Sequence, residues 1–235
     1  MTFPFSRLHP FAYTLTDLTH PTDTNTATWD NGCGFTPTIT YDYDINDPVQ
    51  FRIQNMTMPA GIGTHIDSPS HCIQGGNTVD TIPLDTLIAP LVIIDVSDKA
   101  DENYRIIPQD VYNFEHENAT IPNNAFITFY TGWSKHWNTA QYRNNLQFPS
   151  VAKETAELLA SKNIVGMGID TLSPDTGNSG FPVHNIILGA NKYIVENMAY
   201  LNTMPPIGGY ILTLPFKGVH LTESPARVVG LTPKQ

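Results

Sequence analysis

The segment Gly61-Ile62-Gly63-Thr64-His65-Ile66-Asp67-Ser68-Pro69-Ser70-His71 contains two imidazoles and one carboxylate within seven residues. If it forms a β-strand, side chains alternate between two faces, so His65 and Asp67 share one face and can reach one ion. Pro69 cannot continue a strand ladder, so we expect a turn there that returns His71 toward the same pocket. Imidazole and carboxylate together suit zinc or manganese. The segment predicts a metal site, with ordinary hydrogen-bonded histidines as the alternative.

Composition favours a globular protein with many turns. The chain has 235 residues, of which 40% are hydrophobic and only 14% charged, with 19 prolines and 16 glycines. A chain of this length can bury a substantial core, and this mix favours short strands over long surface helices. The net charge of −10 argues against partners such as nucleic acid or an anionic membrane surface.

The cysteines and the N-terminal segment bear on the cellular compartment. Cys33 and Cys72 are too few for a disulfide framework. Met1 to Pro10 contains no apolar run of signal-peptide length, and no stretch approaches the length of a membrane span. We therefore expect a cytoplasmic protein.

Hydrophobic periodicity predicts more strands than helices, and hence an α/β layered fold with a mixed sheet. A long loop over residues 21–38, with Trp29 and Phe35 as its large apolar groups, separates the first two strands. The predicted strands cover residues 13–18, 50–58, 91–96, 125–131, 164–170, 210–214 and 226–229, and the predicted helices cover 108–117, 151–161 and 182–189. A further helix is expected after Asn191, with Ile194, Val195, Met198 and Leu201 on its apolar side.

His184 and Glu196 are the downstream candidates for completing a metal site. They are twelve residues apart, and on one straight helix they would be separated by about 18 Å and could not share an ion. A break at Gly189 would allow two elements to bring them together. From the residues alone, however, the favoured interpretation of Glu196 is a solvated residue on a helix face.

The first segment resembles the signature H-x-G-T-H-x-D-x-P-x-H of the cyclase family of metal-dependent hydrolases, which includes bacterial kynurenine formamidases. Three later stretches resemble further family elements: T-G-W at 131–133, G-x-D-T-x-S-x-D at 168–175, and P-x-R-V at 225–228. The resemblance runs from about residue 13 to 230. It implies a swivelling β/β/α layered fold with a barrel-like sheet, one domain over residues 1–235, and a homodimer or homotetramer.

The resemblance also implies roles for individual residues. The metal ligands would be His65, Asp67, His184 and Glu196, holding one or two ions of zinc or manganese. His71 would be the general acid and base, and Trp29 would lie in a substrate-covering loop.

Two aspartates and one glycine qualify that assignment. Asp170 and Asp175 are expected to hydrogen-bond the backbone at a turn and to cap a loop rather than to bind metal. Gly61 stands where the family has a histidine ligand, so a site with a single ion remains open.

The implied function is hydrolysis of an amide bond by metal-activated water, with an aryl-formamide such as N-formylkynurenine as substrate. A lactam or lactone, as for isatin hydrolase-like enzymes, is the alternative substrate. A catalytically silent relative that binds metal or an aromatic ligand is the alternative from another class, and Gly61 favours it.

Overall fold

The computed structural model describes residues 12–32 and 34–234. Cys33 and the segment Met1 to Pro10, which was considered as a signal peptide, lie outside the described residues. In chain order the strands are β1 (Tyr13–Asp17), β2 (Thr36–Tyr41), β3 (Ile53–Thr57), β4 (His65–Asp67), β5 (Ile88–Asp95), β6 (Arg105–Ile106), β7 (Ala125–Tyr130), β8 (Ser150–Val151), β9 (Ile164–Ile169), β10 (Tyr193–Glu196), β11 (Gly209–Pro215) and β12 (Glu223–Pro233). The α-helices are α1 (Pro108–Glu117), α2 (Ala140–Arg143), α3 (Lys153–Ser161) and α4 (Pro182–Gly189).

The main sheet closes on itself. Its order is β1-β12-β11-β5-β7-β9-β10-β4, and β4 pairs again with β12, so the seven strands from β12 to β4 form a ring. Strand β12 makes this possible because it is long: residues 223–225 pair with β4, 226–231 with β11, and 229–233 with β1. Strands β5, β7, β9 and β10 run parallel, and the other contacts are antiparallel. The expected mixed α/β fold with a barrel-like sheet is confirmed.

The parallel strands are mostly apolar because both of their faces are largely buried. On β5, Val92 and Ile94 pack in one cluster with α1, α3 and α4, whereas Leu91 and Ile93 pack with residues of β4, β10, β11 and β12 on the other face of the sheet. Burial on both sides explains why residues 91–96 form a short apolar run rather than an alternating strand.

Two expected elements differ from the structure. Residues 193–196 form strand β10, not the expected second helix, because Asn191 has φ of 58° and redirects the chain, after which β10 pairs with β9 on one side and β4 on the other. Tyr193, Ile194 and Val195 are aromatic and β-branched residues that suit a strand. The expected strand at 50–58 is observed as β3, but it pairs with β2 in a separate two-stranded sheet. Strand β2 begins at Thr36, within the expected loop.

The helices agree with the sequence analysis. α1, α3 and α4 lie within a few residues of their expected bounds, with prolines in the first turns of α1 and α4. Within residues 12–32 and 34–234, none of the helices combines the length and the apolar character needed to cross a membrane.

Candidate metal centre and active site

Strand register brings the first ligand candidates together. Strand β4 lies between β10 and β12, with Glu196 opposite His65 and Glu223 opposite Asp67. His65 Nε2 is 3.3 Å from Asp67 Oδ1 and 3.4 Å from Glu196 Oε2. All of the pairing partners come from distant parts of the chain, so closure of the ring is what assembles the cluster.

Helix α4 carries His184 and ends at Gly189, the break that the sequence suggested, so that His184 and Glu196 lie on two separate elements. His184 Nε2 is 3.3 Å from Glu196 Oε1 and 3.6 Å from Asp67 Oδ2. The structure therefore brings His65, Asp67, His184 and Glu196 together in one buried cluster.

Hydrogen bonds fix the orientation of both imidazoles. His65 Nδ1 lies 2.8 Å from the carbonyl oxygen of Gly63, to which it donates, and His184 Nδ1 lies 2.8 Å from Asp175 Oδ2. Asp175 also accepts a hydrogen bond from the backbone N–H of His184 at 3.0 Å, so it caps α4. In both rings this leaves Nε2 facing the carboxylates, which is how histidines that bind metal are oriented.

Several buried carboxylate oxygens of the cluster lack hydrogen bonds, and this bears on whether the residues fit a metal ion. Among the described residues, Asp67 Oδ1, Asp67 Oδ2 and Glu196 Oε1 are buried and accept no hydrogen bond of good geometry, although imidazole Nε2 atoms lie 3.3 to 3.6 Å from them. A buried carboxylate without partners is costly, and imidazole with carboxylate is a suitable ligand set for a divalent ion. Ligand atoms lie within 4.8 Å of one another in two sets, His65–Asp67–Glu223 and Asp67–His184–Glu196. The cluster fits a divalent ion, or two ions that share Asp67.

The electrostatics of the cluster point the same way. Burial opposes a charge on His65, but the carboxylate of Asp67 outweighs it and raises the pKa of His65 to about 10. Burial also raises the pKa of Glu196, and the adjacent Asp67 raises it further. The carboxylates therefore attract positive charge, which protons on the imidazoles or a divalent cation can supply.

His71 lies at the edge of the cluster. Pro69 begins a short 3₁₀ helix, Pro69–His71, that turns the chain as expected. His71 Nδ1 is 3.3 Å from Glu223 Oε2, and this carboxylate raises the pKa of His71 against the effect of burial. The ring centroid of His71 is 5.8 Å from that of His184, and His71 belongs to neither set of ligand atoms.

A cavity of about 280 Å³ opens onto the cluster. Apart from the charged and imidazole groups, its walls include Trp29, Leu172 and Phe181, and the rings of Trp29 and Phe181 are 5.4 Å apart. A larger cavity of about 370 Å³ lies beside the loop that carries Trp29, but Arg143 is the only charged residue among those described that line it. The smaller cavity is therefore the candidate active site, because it is lined by the imidazoles and carboxylates of the cluster.

Sequence reasoning missed two carboxylates at the site. Asp175 was expected only to cap a loop, yet it also orients His184; its signal was its place at the end of the G-x-D-T-x-S-x-D stretch. The sequence analysis did not predict Glu223 as a site residue. The one feature that could have indicated it is its position two residues before the P-x-R-V stretch that begins at Pro225. Asp170 behaves as expected, accepting hydrogen bonds from the backbone N–H of Thr131 at 2.9 Å and from its hydroxyl at 2.6 Å.

Comparison with known proteins agrees with this geometry. The family model described as "Putative cyclase" matches residues 16–176. The isatin hydrolase of Roseibium aggregatum is 30% identical over 209 residues, covering 82% of this chain and 79% of that protein. The kynurenine formamidase of Bordetella avium is 26% identical over 190 residues, covering 80% of this chain and 85% of that protein.

A solved structure extends the likeness beyond the matched segment. The crystal structure of an isatin hydrolase bound to the product analogue thioisatinate superposes with a TM-score of 0.86 and 27% identity, covering 95% of this chain and 94% of that chain. The family model spans well over half of the 235 residues. The chain therefore belongs to the cyclase family of metal-dependent hydrolases.

Proposed function

We propose that the protein hydrolyses the amide bond of a small aryl amide, using a divalent ion held by His65, Asp67, His184 and Glu196. The observation that carries the proposal is the buried cluster of two imidazoles and two carboxylates, with unpartnered carboxylate oxygens, that faces a cavity with aromatic walls. When bound, the ion supplies Lewis-acid activation of water and of the scissile carbonyl.

His71 is the proton carrier in this proposal. During hydrolysis the oxygen of water bonds to the carbonyl carbon, the C–N bond breaks, and the leaving nitrogen takes a proton. Glu223 lies against Nδ1 of His71, which leaves Nε2 to take the proton from water and to pass it to the nitrogen. The carboxylate also stabilises the imidazolium that forms between the two transfers.

The walls of the cavity indicate the class of substrate. Trp29 and Phe181 present aromatic surfaces, and Leu172 adds an apolar surface. Flat apolar walls next to a few polar groups favour one aromatic ring held beside the ion.

Isatin, a cyclic aryl amide, is our first candidate substrate, because an isatin hydrolase is the more similar of the two named relatives and an isatin hydrolase structure superposes over nearly the whole chain. N-formylkynurenine, the aryl-formamide that the sequence suggested, is the second candidate, supported by the likeness to kynurenine formamidase.

The test is a hydrolysis assay of purified protein loaded with Mn²⁺ or Zn²⁺, using isatin, N-formylkynurenine and a non-aromatic lactone. We expect hydrolysis of one of the aryl amides that a chelator abolishes. Glu196→Gln should abolish it too, while Glu117→Gln, on an exposed residue of α1, should leave it unchanged. A folded, metal-loaded protein that hydrolyses neither aryl amide would support the silent relative instead.

A further inference from the structure

Gly61 lies against the metal cluster, although residues 61–64 are not part of strand β4. A Cβ atom placed on Gly61 would be 3.3 Å from His65 Nε2 and would overlap Glu223 Oε1. The space that a side chain at residue 61 would occupy is therefore already filled by the Glu223 carboxylate.

Glu223 reaches this position from the first residue of β12, where it stands opposite Asp67. Its side chain is 24% exposed, and one of its oxygens lies within 4.8 Å of ligand atoms of both His65 and Asp67. The second, independent observation is that both oxygens of Asp67 are buried and accept no hydrogen bond of good geometry from any described residue. His65, Asp67 and Glu223 thus converge on one point, where a bound cation would interact with the buried oxygens of Asp67.

We propose that Glu223 is a metal ligand that acts with His65 and Asp67 and takes the place of a side chain at residue 61. The inference rests on the proposed function, because it concerns the ion of the same site. It means that Glu223, from strand β12, supplies a ligand in the place where the family resemblance puts a histidine at residue 61, and that the chain has ligands for two ions that share Asp67.

The replacement changes the chemistry of the site in two ways. The His65–Asp67–Glu223 set contains one nitrogen and two carboxylates, which favours a hard ion such as Mn²⁺ over Zn²⁺ relative to a site with a second imidazole. In addition, Glu223 Oε2 is 3.3 Å from His71 Nδ1, so the same carboxylate connects the ion to the acid/base residue.

The test is calorimetric titration of chelator-stripped protein with Mn²⁺ and, separately, with Zn²⁺. Wild type should bind two Mn²⁺ ions per chain. Glu223→Gln, which keeps the size of the side chain, should weaken one of the two by at least about 10-fold. Glu117→Gln is the matched control and should bind Mn²⁺ as wild type does. Melting temperature and circular dichroism establish that each variant is folded.

A relocation variant makes the test specific for the role of Glu223. In Gly61→His/Glu223→Ala the carboxylate is removed and an imidazole takes its space. This variant should regain the second ion and should show a higher ratio of Zn²⁺ to Mn²⁺ affinity than wild type.

Two outcomes would overturn the inference, and they differ. If Glu223→Gln binds both ions with wild-type affinity, Glu223 is only the partner of His71, and the metal-dependent function survives. If stripped wild type binds neither Mn²⁺ nor Zn²⁺, the proposed function fails together with the inference.

Discussion

His71 faces the cavity beside the carboxylate cluster without contributing to either set of ligand atoms. We expect His71→Ala to keep its bound metal and to lower kcat by about 10²- to 10⁴-fold, the usual contribution of general acid–base catalysis. The measurements are steady-state kinetics on the aryl amide that the wild type hydrolyses and elemental analysis of the same sample. Loss of metal from the variant would make His71 a ligand and would contradict the assignment.

Asp175 is a positioning residue, because it touches His184 and not the cavity. Asp175→Asn keeps an oxygen that can accept the backbone N–H groups at the start of α4 but removes the charge from His184 Nδ1. We expect metal affinity to fall by about 10- to 100-fold, as for other carboxylates that orient metal-bound histidines. A competition titration with a chromophoric chelator measures this, with thermal unfolding as the control for helix capping. Unchanged affinity in a folded variant would show that His184 does not need this partner.

The loop that carries Trp29 is held in place by Arg143 of α2. Arg143 Nε donates to the carbonyl oxygen of Thr28 at 3.1 Å, and its second amino group donates to that of Trp29 at 2.7 Å. We expect Arg143→Ala to raise KM by about 10-fold, equivalent to about 1.4 kcal/mol, because Trp29 is then no longer held over the cavity, while kcat changes little. Initial-rate kinetics distinguish the two constants. A fall in kcat with an unchanged KM would place the effect in the chemistry instead.

Local sequence was sufficient for most elements but not for β10. Helix α1 has a proline in its first turn, and β5 contains the apolar run 91–94, so the local sequence predicts each of them clearly. Ile194, Val195, Met198 and Leu201 fit the spacing of a helix and also the composition of a buried strand. The pairing of β10 with β9 and β4 decides between them, and a partner strand 130 residues away cannot be read from local periodicity.

The same limit applies to the site. His65 and Asp67 were accessible from spacing within one segment, and His184 and Glu196 came from resemblance to the family. Glu223 was missed because its contact with the cluster exists only when β12 closes the ring beside β4. Gly61 indicated that a histidine ligand of the family is missing at this position. Only the folded chain shows that the side chain of Glu223 fills the space.

His20 gives the whole molecule a pH dependence that is separate from metal binding. It is 8% exposed and stacks on Trp137 with ring centroids 4.1 Å apart. Burial lowers the pKa of His20 from 6.5 to about 4. Below pH 6.5 the imidazole of His20 takes up a proton in the unfolded chain but not in the folded one, which favours unfolding. The contribution of His20 to the free energy of unfolding is therefore largest above pH 6.5 and falls as the pH drops from 6.5 toward 4.

We expect His20→Phe, which keeps an aromatic ring against Trp137, to remove this part of the pH dependence. Between pH 7 and pH 5 the free energy of unfolding of the wild type should fall by roughly 1–2 kcal/mol more than that of the variant. Urea unfolding at both pH values, with chelator present throughout, measures the difference. Equal pH dependence in the two proteins would show that His20 accepts a proton in the folded state.

The central claim is that one closed sheet assembles a divalent metal site around Asp67, the residue common to both sets of ligand atoms. Its most direct test is the metal content of wild type and Asp67→Asn, measured by elemental analysis after stripping, reloading with Mn²⁺ and gel filtration. We expect wild type to retain Mn²⁺ and Asp67→Asn to retain almost none while staying folded, since an amide lacks the negative charge that the ion requires. Full Mn²⁺ occupancy in Asp67→Asn, or none in the wild type, would contradict the account.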